Sequence, residues 1–270
     1  MENFLEHPKV MGILNVTPDS FFDGGRYLTE KAVLNRVEQM LKEGADIIDI
    51  GAFSSRPGAD LVTYHEEKQR LIPFLKVILK TFPGIGISVD TFRHQIAKEA
   101  IEAGATIIND ISGGELDPEM FNTIAQLNVP YIMMHMRGTP KTMQKQTNYV
   151  DIVDELKNYF NRKITQLNEL GFKKIIIDLG FGFGKTLEQN YHLLANLTQF
   201  KCFGLPILAG ISRKSMLYKA LDITPDNALN ASIAANAIAL ERGANILRVH
   251  DVKAAVETVK IYELVKQNEK

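Results

Sequence analysis

Three polar residues close short apolar runs in the middle of the chain. Asp90 ends ISVD, Asn109 follows TII, and Asp178 ends IIID. Two carboxylates and an amide gathered away from water would bind a flat ring rich in N–H donors. Each such charge-assisted hydrogen bond contributes about 1.5–3 kcal/mol. One acid at a strand end more often caps the next helix, but two acids and an amide on neighbouring strands make a site the better reading. A second set is basic: Arg56, Arg213, Lys214, Arg248 and His250, with the hydroxyls of Ser212 and Ser215 close by in sequence. Arginine and lysine suit a phosphate or pyrophosphate; the plainer alternative is a solvated basic rim. Asn15 closes the first apolar run. Its amide oxygen could ligate Mg²⁺ where phosphates and water complete the shell, or stabilise a turn. The stretch IIIDLGFGFGK has the look of a phosphate loop. Lys185, its last residue, is equally compatible with a rim salt bridge and with substrate contact.

What positions these residues is an alternation of short apolar runs with longer segments of helical period. The runs cover residues 10–14, 46–50, 85–89, 106–108, 131–134, 175–177, 207–208 and 246–249. Helical patterns fall at 30–43, 64–82, 93–103, 117–127, 150–170, 228–242 and 252–265. Asp117-Pro118 is expected to start the fourth of these, with proline at the first helical position. Gly44, Gly104 and Gly243 follow three of them as closing glycines. Eight β-α units of about 30 residues each predict an α/β fold, a single (β/α)₈ TIM barrel spanning residues 1–270, with the site at the C-terminal ends of the strands. A doubly wound sheet would carry its glycine-rich turn after the first strand; here it follows the sixth. The IIID acid therefore faces ligand, and phosphate binding moves to strands one, seven and eight. Gly210 belongs to the seventh strand end, and His135, between methionines, is read as packing or support.

Composition removes other classes. A net charge of −1 argues against nucleic acid as partner. No apolar run reaches the roughly 18 residues that span a bilayer, and no signal peptide is expected. Cys202 is the only cysteine, which fits a cytoplasmic location. No zinc-type Cys/His spacing and no GxSxG motif occurs.

Seven motifs in order resemble the dihydropteroate synthase family: MGILNVTPDSF from Met11, SRPGA from Ser55, SVDT from Ser88, IND from Ile108, GFGFGK from Gly180, SRKS from Ser212 and RVHD from Arg248. The resemblance covers essentially the whole chain. It implies condensation of 6-hydroxymethyl-7,8-dihydropterin diphosphate with 4-aminobenzoate, releasing pyrophosphate. By the same resemblance Asp90, Asn109 and Asp178 bind the pterin, and Lys214 bonds its carbonyl side. Met134 and Phe183 line the ring. Asn15 ligates Mg²⁺, Arg248, His250 and Ser55 hold phosphates, and Ser212 and Arg56 place the aminobenzoate. Asp19 would lie in a first mobile loop and Arg56 in a second. A homodimer is implied as well. The set expected to act on the reacting groups is Asp90, Asp178, Lys214, Arg248 and His250.

The chain departs from the family pattern at three places. Ala52, Phe53 and Ser55 stand where glycine, glutamate and threonine are common, and Leu179 stands where proline is common. Acids on one side and cations on the other predict a dissociative substitution, driven by positioning and electrostatics. Two other readings compete: a corrinoid-dependent methyltransferase barrel, which shares the pterin set but has no use for SRKS or the TPDS loop, and a non-catalytic pterin-binding module.

Overall fold

The computed structural model describes residues 2–17, 29–53, 58 and 62–269. Among these, eight parallel strands close into a barrel in sequence order. They are β1 (Lys9–Asn15), β2 (Ile47–Gly51), β3 (Gly86–Asp90), β4 (Ile107–Asp110), β5 (Tyr131–Met134), β6 (Ile175–Asp178), β7 (Ile207–Ala209) and β8 (Ile246–Val249). The helices are α1 (Glu2–Glu6), α2 (Glu30–Glu43), α3 (Tyr64–Thr81), α4 (His94–Glu102), α5 (Met120–Leu127), α6 (Ile152–Glu169), α7 (Leu187–Ala195), α8 (Ser215–Tyr218), α9 (Leu229–Glu241) and α10 (Val252–Gln267). The barrel expected from the alternation is the barrel observed.

The boundaries shift in an instructive way. Asn15, Asp90 and Asp178 are the last residues of their strands, and Asn109 lies inside β4. Their backbones are held in the sheet ladder, not in loops: Asp90 pairs with Asn109, and Met134 with Asp178. α5 begins at Met120 rather than at Asp117, because Asp117 is spent elsewhere: its carboxylate accepts from the backbone N–H of His94 and of Glu119. α7 has no counterpart in the sequence reading. It starts with a capping box, Thr186 and Gln189 each accepting the other's backbone N–H.

Side chains alternate between the two faces of each strand, and this divides the interior. Met11, Ile47, Ile107, Ile132, Ile176, Leu208 and Ile246 meet inside the barrel as a separate apolar cluster, with Phe4 of α1 packed against it. They fill the floor of the tube. Two residues further along the same strands, Ile47 gives way to Asp49, Ile107 to Asn109, Ile132 to Met134, Ile176 to Asp178, Leu208 to Gly210 and Ile246 to Arg248. One pleat repeat, about 6.6 Å, separates the dry plug from the polar mouth. The outward-facing residues join the helices in the main core.

Candidate active site

Arg248 is the hub of the mouth. Its Nε donates to Asp49 Oδ2 at 2.6 Å and its NH2 group to Asp90 Oδ2 at 3.1 Å. Asn109 Nδ2 donates to the same Asp49 oxygen at 3.1 Å. Asp49, Asp90 and Asn109 are all buried. Asp49 Oδ1 and Asp90 Oδ1 are out of water and have no hydrogen-bond partner among the described residues. Burial pushes the Asp90 carboxyl up to about 8, against the pull of Arg248, and Asp49 adds to the rise. For Arg248, burial works against the charge, and Asp49 and Asp90 outweigh it, so its pKa is raised.

Asp178 faces this network from β6. Its Oδ1 accepts the Gly180 N–H at 2.8 Å, and burial raises its pKa while Lys214 opposes the rise. Lys214 is half-buried. Burial lowers its ammonium to about 8, against Asp178. It donates to the Phe181 carbonyl at 2.6 Å and stands 4.7 Å over the Phe183 ring. Gly210, past the end of β7, lies against both cations: a Cβ built there would touch Lys214 Nζ at 3.7 Å and Arg248 Cβ at 4.0 Å, ordinary contact distances. Phe183 and Met134 belong to an apolar cluster with Phe53, Phe92, Ile111, Met136 and Met143. Phe53, at the place where the family pattern often has glutamate, packs edge-on against Phe92 at 5.3 Å and extends this apolar wall. Leu179, at the place of the usual proline, is fully buried.

The glycine-rich turn is specified sterically. Gly180 has φ +69°, and an added Cβ would fall 2.1 Å from the His135 carbonyl oxygen.

At the opposite edge, Ser212 Oγ accepts the His250 backbone N–H at 3.2 Å and lies 3.3 Å from His250 Nδ1. His250 is exposed on one side. Desolvation of its inner side and the cations Arg248, Arg213 and Lys214 lower its imidazole, and Asp251 opposes the shift. Asn15 ends β1, beside Gly51 of β2.

The structure thus brings Asp90, Asn109, Asp178, Lys214, Gly210 and Arg248 to one mouth, with Met134 and Phe183 beside it and Ser212, His250 and Asn15 on its rim. Arg213 is a correction to the phosphate reading. Its guanidinium donates through Nε and NH2 to both oxygens of Asp251 at 2.8 Å, and through NH1 to the carbonyls of Pro225 and Asp226. It braces the loop after β7 instead of presenting a free cation. Lys185 makes no salt bridge among the described residues: its ammonium goes to backbone carbonyls and His135. Asp19, Ser55 and Arg56 lie outside the described residues. Asp49 is the residue the sequence reading missed. The signal was present, an acid alternating with isoleucines inside DIIDI, in phase with the plug residue Ile47.

The chain matches the pterin binding enzyme family over residues 11–250, the class to which this barrel and mouth correspond. It is 44% identical to the dihydropteroate synthase of Escherichia coli K12 over 261 residues, 96% of this chain and 92% of that protein. The Yersinia pestis dihydropteroate synthase, solved with a sulfonamide drug complex, superposes with a TM-score of 0.92 at 41% identity, covering 97% of this chain and 96% of that one. The Xanthomonas albilineans enzyme in complex with 7,8-dihydropteroate superposes with a TM-score of 0.88 at 36% identity, covering 98% and 96%. The chain belongs to the dihydropteroate synthase family, transferases of folate biosynthesis.

Removing one partner of a buried ion network strands the other charges. Asp49→Ala is expected to cost about 3–5 kcal/mol of stability, read as a lower urea midpoint. Because Arg248 and Asn109 lose their common anchor, the surviving folded fraction should also turn over more slowly. A variant with unchanged midpoint and rate would show that Asp49 anchors neither.

Proposed function

We propose that this chain joins 6-hydroxymethyl-7,8-dihydropterin diphosphate to 4-aminobenzoate, giving 7,8-dihydropteroate and pyrophosphate. The observation that carries the reading is the buried carboxylate oxygen Asp90 Oδ1, without a hydrogen-bond partner among the described residues, beside the cations Arg248 and Lys214. Buried acceptors left unmade are costly. A ring edge rich in N–H groups satisfies them.

In this reading Asp90, Asn109 and Asp178 take the ring N–H groups, and Lys214 bonds the ring carbonyl. Met134 and Phe183 lie against its faces. Arg248 and His250 hold the diphosphate, with Ser55 at the same end; Ser212 and Arg56 orient the aminobenzoate. Arg213 acts through Asp251, not on substrate. Asp19 and Arg56 belong to the two loops proposed to close over the mouth. No group of three or more His, Cys, Asp or Glu residues able to hold a metal occurs among the described residues. Mg²⁺ therefore fits as an ion carried on the diphosphate, with the Asn15 amide oxygen as a protein ligand. When bound, it neutralises charge on the leaving group.

The bond between the exocyclic methylene carbon and the diphosphate oxygen breaks first, and its electron pair leaves with pyrophosphate. The pterin spreads the resulting positive charge over its ring, where the carboxylates of Asp90 and Asp178 stabilise it. The amine nitrogen then adds to the methylene, and its proton passes to solvent at the open rim. The chain's own contribution is positioning and a fixed field.

We read the 270 residues as one catalytic domain working in the cytoplasm. The single closed barrel and an exposed free Cys202 support this. Among the described residues no helix is long and apolar enough to cross a membrane. A homodimer is the proposed assembly: α9 and α10 pack on each other and leave Ile238, Ile261, Leu264 and Val265 exposed.

Pyrophosphate release from the diphosphate substrate should be fast with 4-aminobenzoate and slow but measurable without it, as water captures the cation. Asp178→Asn should slow both. Strict dependence on the amine would contradict bond breaking first, and no release in either case would contradict the assigned reaction. Ring donors favour ionised Asp90, so bound Asp90 has a lower pKa than free Asp90 at about 8. Affinity for 6-hydroxymethylpterin should therefore fall as pH drops below that value, by up to about tenfold per pH unit. Calorimetry over about pH 6–7.5 reads this, and Asp90→Asn should flatten the slope; equal slopes would remove Asp90 as the titrating contact. Ile261→Glu combined with Leu264→Glu should convert a dimer to a monomer by light scattering, whereas a monomeric parent protein would remove this interface.

A further inference from the structure

Lys185 is a buried cation that the reaction scheme above leaves without a role. Only 4% of it is exposed. Its Nζ donates to the carbonyls of Gly180 and Phe183, both at 2.9 Å, and lies 3.2 Å from His135 Nδ1. The His135 carbonyl is a fourth, longer contact at 3.4 Å, so the three N–H donors of Lys185 are all engaged. Among the described residues no carboxylate stands within ion-pair distance of it. The titratable and charged groups around it are Asp178 of β6, Lys214 after β7, and His135 and Arg137 after β5.

The partners matter because of what they carry. Gly180 supplies the N–H that fixes Asp178, and Phe183 supplies the ring against which Lys214 stands. Between them, Phe181 supplies the carbonyl that holds Lys214 Nζ. Lys185 clamps the two ends of this four-residue arc from behind. Burial, with Lys185 and Arg137, holds the His135 imidazole well below its usual range, and the ammonium of Lys185 has only donors to offer its Nδ1. Its Nδ1 can therefore accept, which places its proton on Nε2. Its ring is wedged edge-on against Tyr159 at 4.8 Å. A charged ammonium buried among dipoles is expensive to keep, and burial lowers this one to about 7. A neutral side chain would fill the space without that cost.

We propose that Lys185 is a positioning residue for the pterin half of the site, its ammonium pinning the Gly180–Phe183 arc to His135 so that Asp178, Phe183 and Lys214 are held in register for the ring. This rests on the pterin-pocket reading of those three residues. The diphosphate end, built on Arg248 and His250, does not touch the arc, so the effect falls on one half of the substrate.

The test separates the halves. In Lys185→Met, the dissociation constant for 6-hydroxymethylpterin should rise about tenfold or more, while that for pyrophosphate stays within about twofold. Lys185→Cys in a Cys202→Ser background, alkylated with 2-bromoethylamine while unfolded and then refolded, restores the ammonium and should restore pterin affinity. Equal loss for pterin and pyrophosphate, pterin affinity unchanged, or no rescue by the restored ammonium would overturn the assignment. If the variants do not fold, ¹⁵N-histidine spectra of the parent protein decide. His135 should show an unprotonated Nδ1, and its signals should move on pterin addition but not on pyrophosphate addition. A protonated Nδ1, or signals indifferent to pterin, would overturn the proposal. Should Asp178→Asn leave pterin affinity intact, the pocket reading itself fails; should only the Lys185 variants do so, this inference alone fails.

Discussion

Everything at the mouth of the barrel depends on one guanidinium shared by two buried acids. Arg248 reaches from β8 past β1 to Asp49 on β2 and Asp90 on β3. Charges taken out of water are tolerable only when their geometry is good and their remaining donors are satisfied. Here the shared Asp49 oxygen also receives Asn109, which ties β4 into the same set. Four strands are thus locked in register at their C-terminal ends by groups that are also the ones proposed to meet the ligand. That double duty explains why the network is left incomplete. A fully satisfied set would be more stable and would have nothing to offer a ligand.

The same constraint shows how the sequence encodes a site. From Ile47, Ile107, Ile176, Leu208 and Ile246, a single two-residue step takes the inward face from isoleucine or leucine to a polar or small residue. The step is the pleat itself, so the boundary between plug and mouth is level across the barrel. The polar strand ends were legible from this pattern, as were the barrel, its order and the acid–amide–acid set. Asp49 was legible by the same rule but sits inside its apolar run, so looking only past the end of each run hid it. α7 escaped because its start is signalled by reciprocal capping at Thr186 and Gln189, not by a strong apolar stripe.

Arg213 and Lys185 show where residue type misleads. Both are basic and both follow strand ends in segments that resemble phosphate-binding loops. The backbone decides otherwise. Arg213 adopts φ +55°, an uncommon conformation for a side-chain-bearing residue, with its N–H held by Ser232 Oγ at 3.0 Å. This turns the guanidinium to Asp251. The steric demand at Gly180 brings the loop against the His135 carbonyl, with Lys185 Nζ 3.3 Å from where a Gly180 Cβ would lie. A one-dimensional reading sees the charge but not the direction in which the chain aims it.

The apolar plug beneath the mouth carries a consequence of its own. With Met11, Ile47, Ile107, Ile132, Ile176, Leu208 and Ile246 stopping the tube and Phe4 sealing it from below, the barrel is a blind well. Molecules come and go through one opening. Whatever binds on the floor has to arrive before anything that lies above it, and it leaves only after the upper occupant has gone. A queue of this kind needs no gatekeeping residue and no signal between subsites. It is imposed by a tube with a single end.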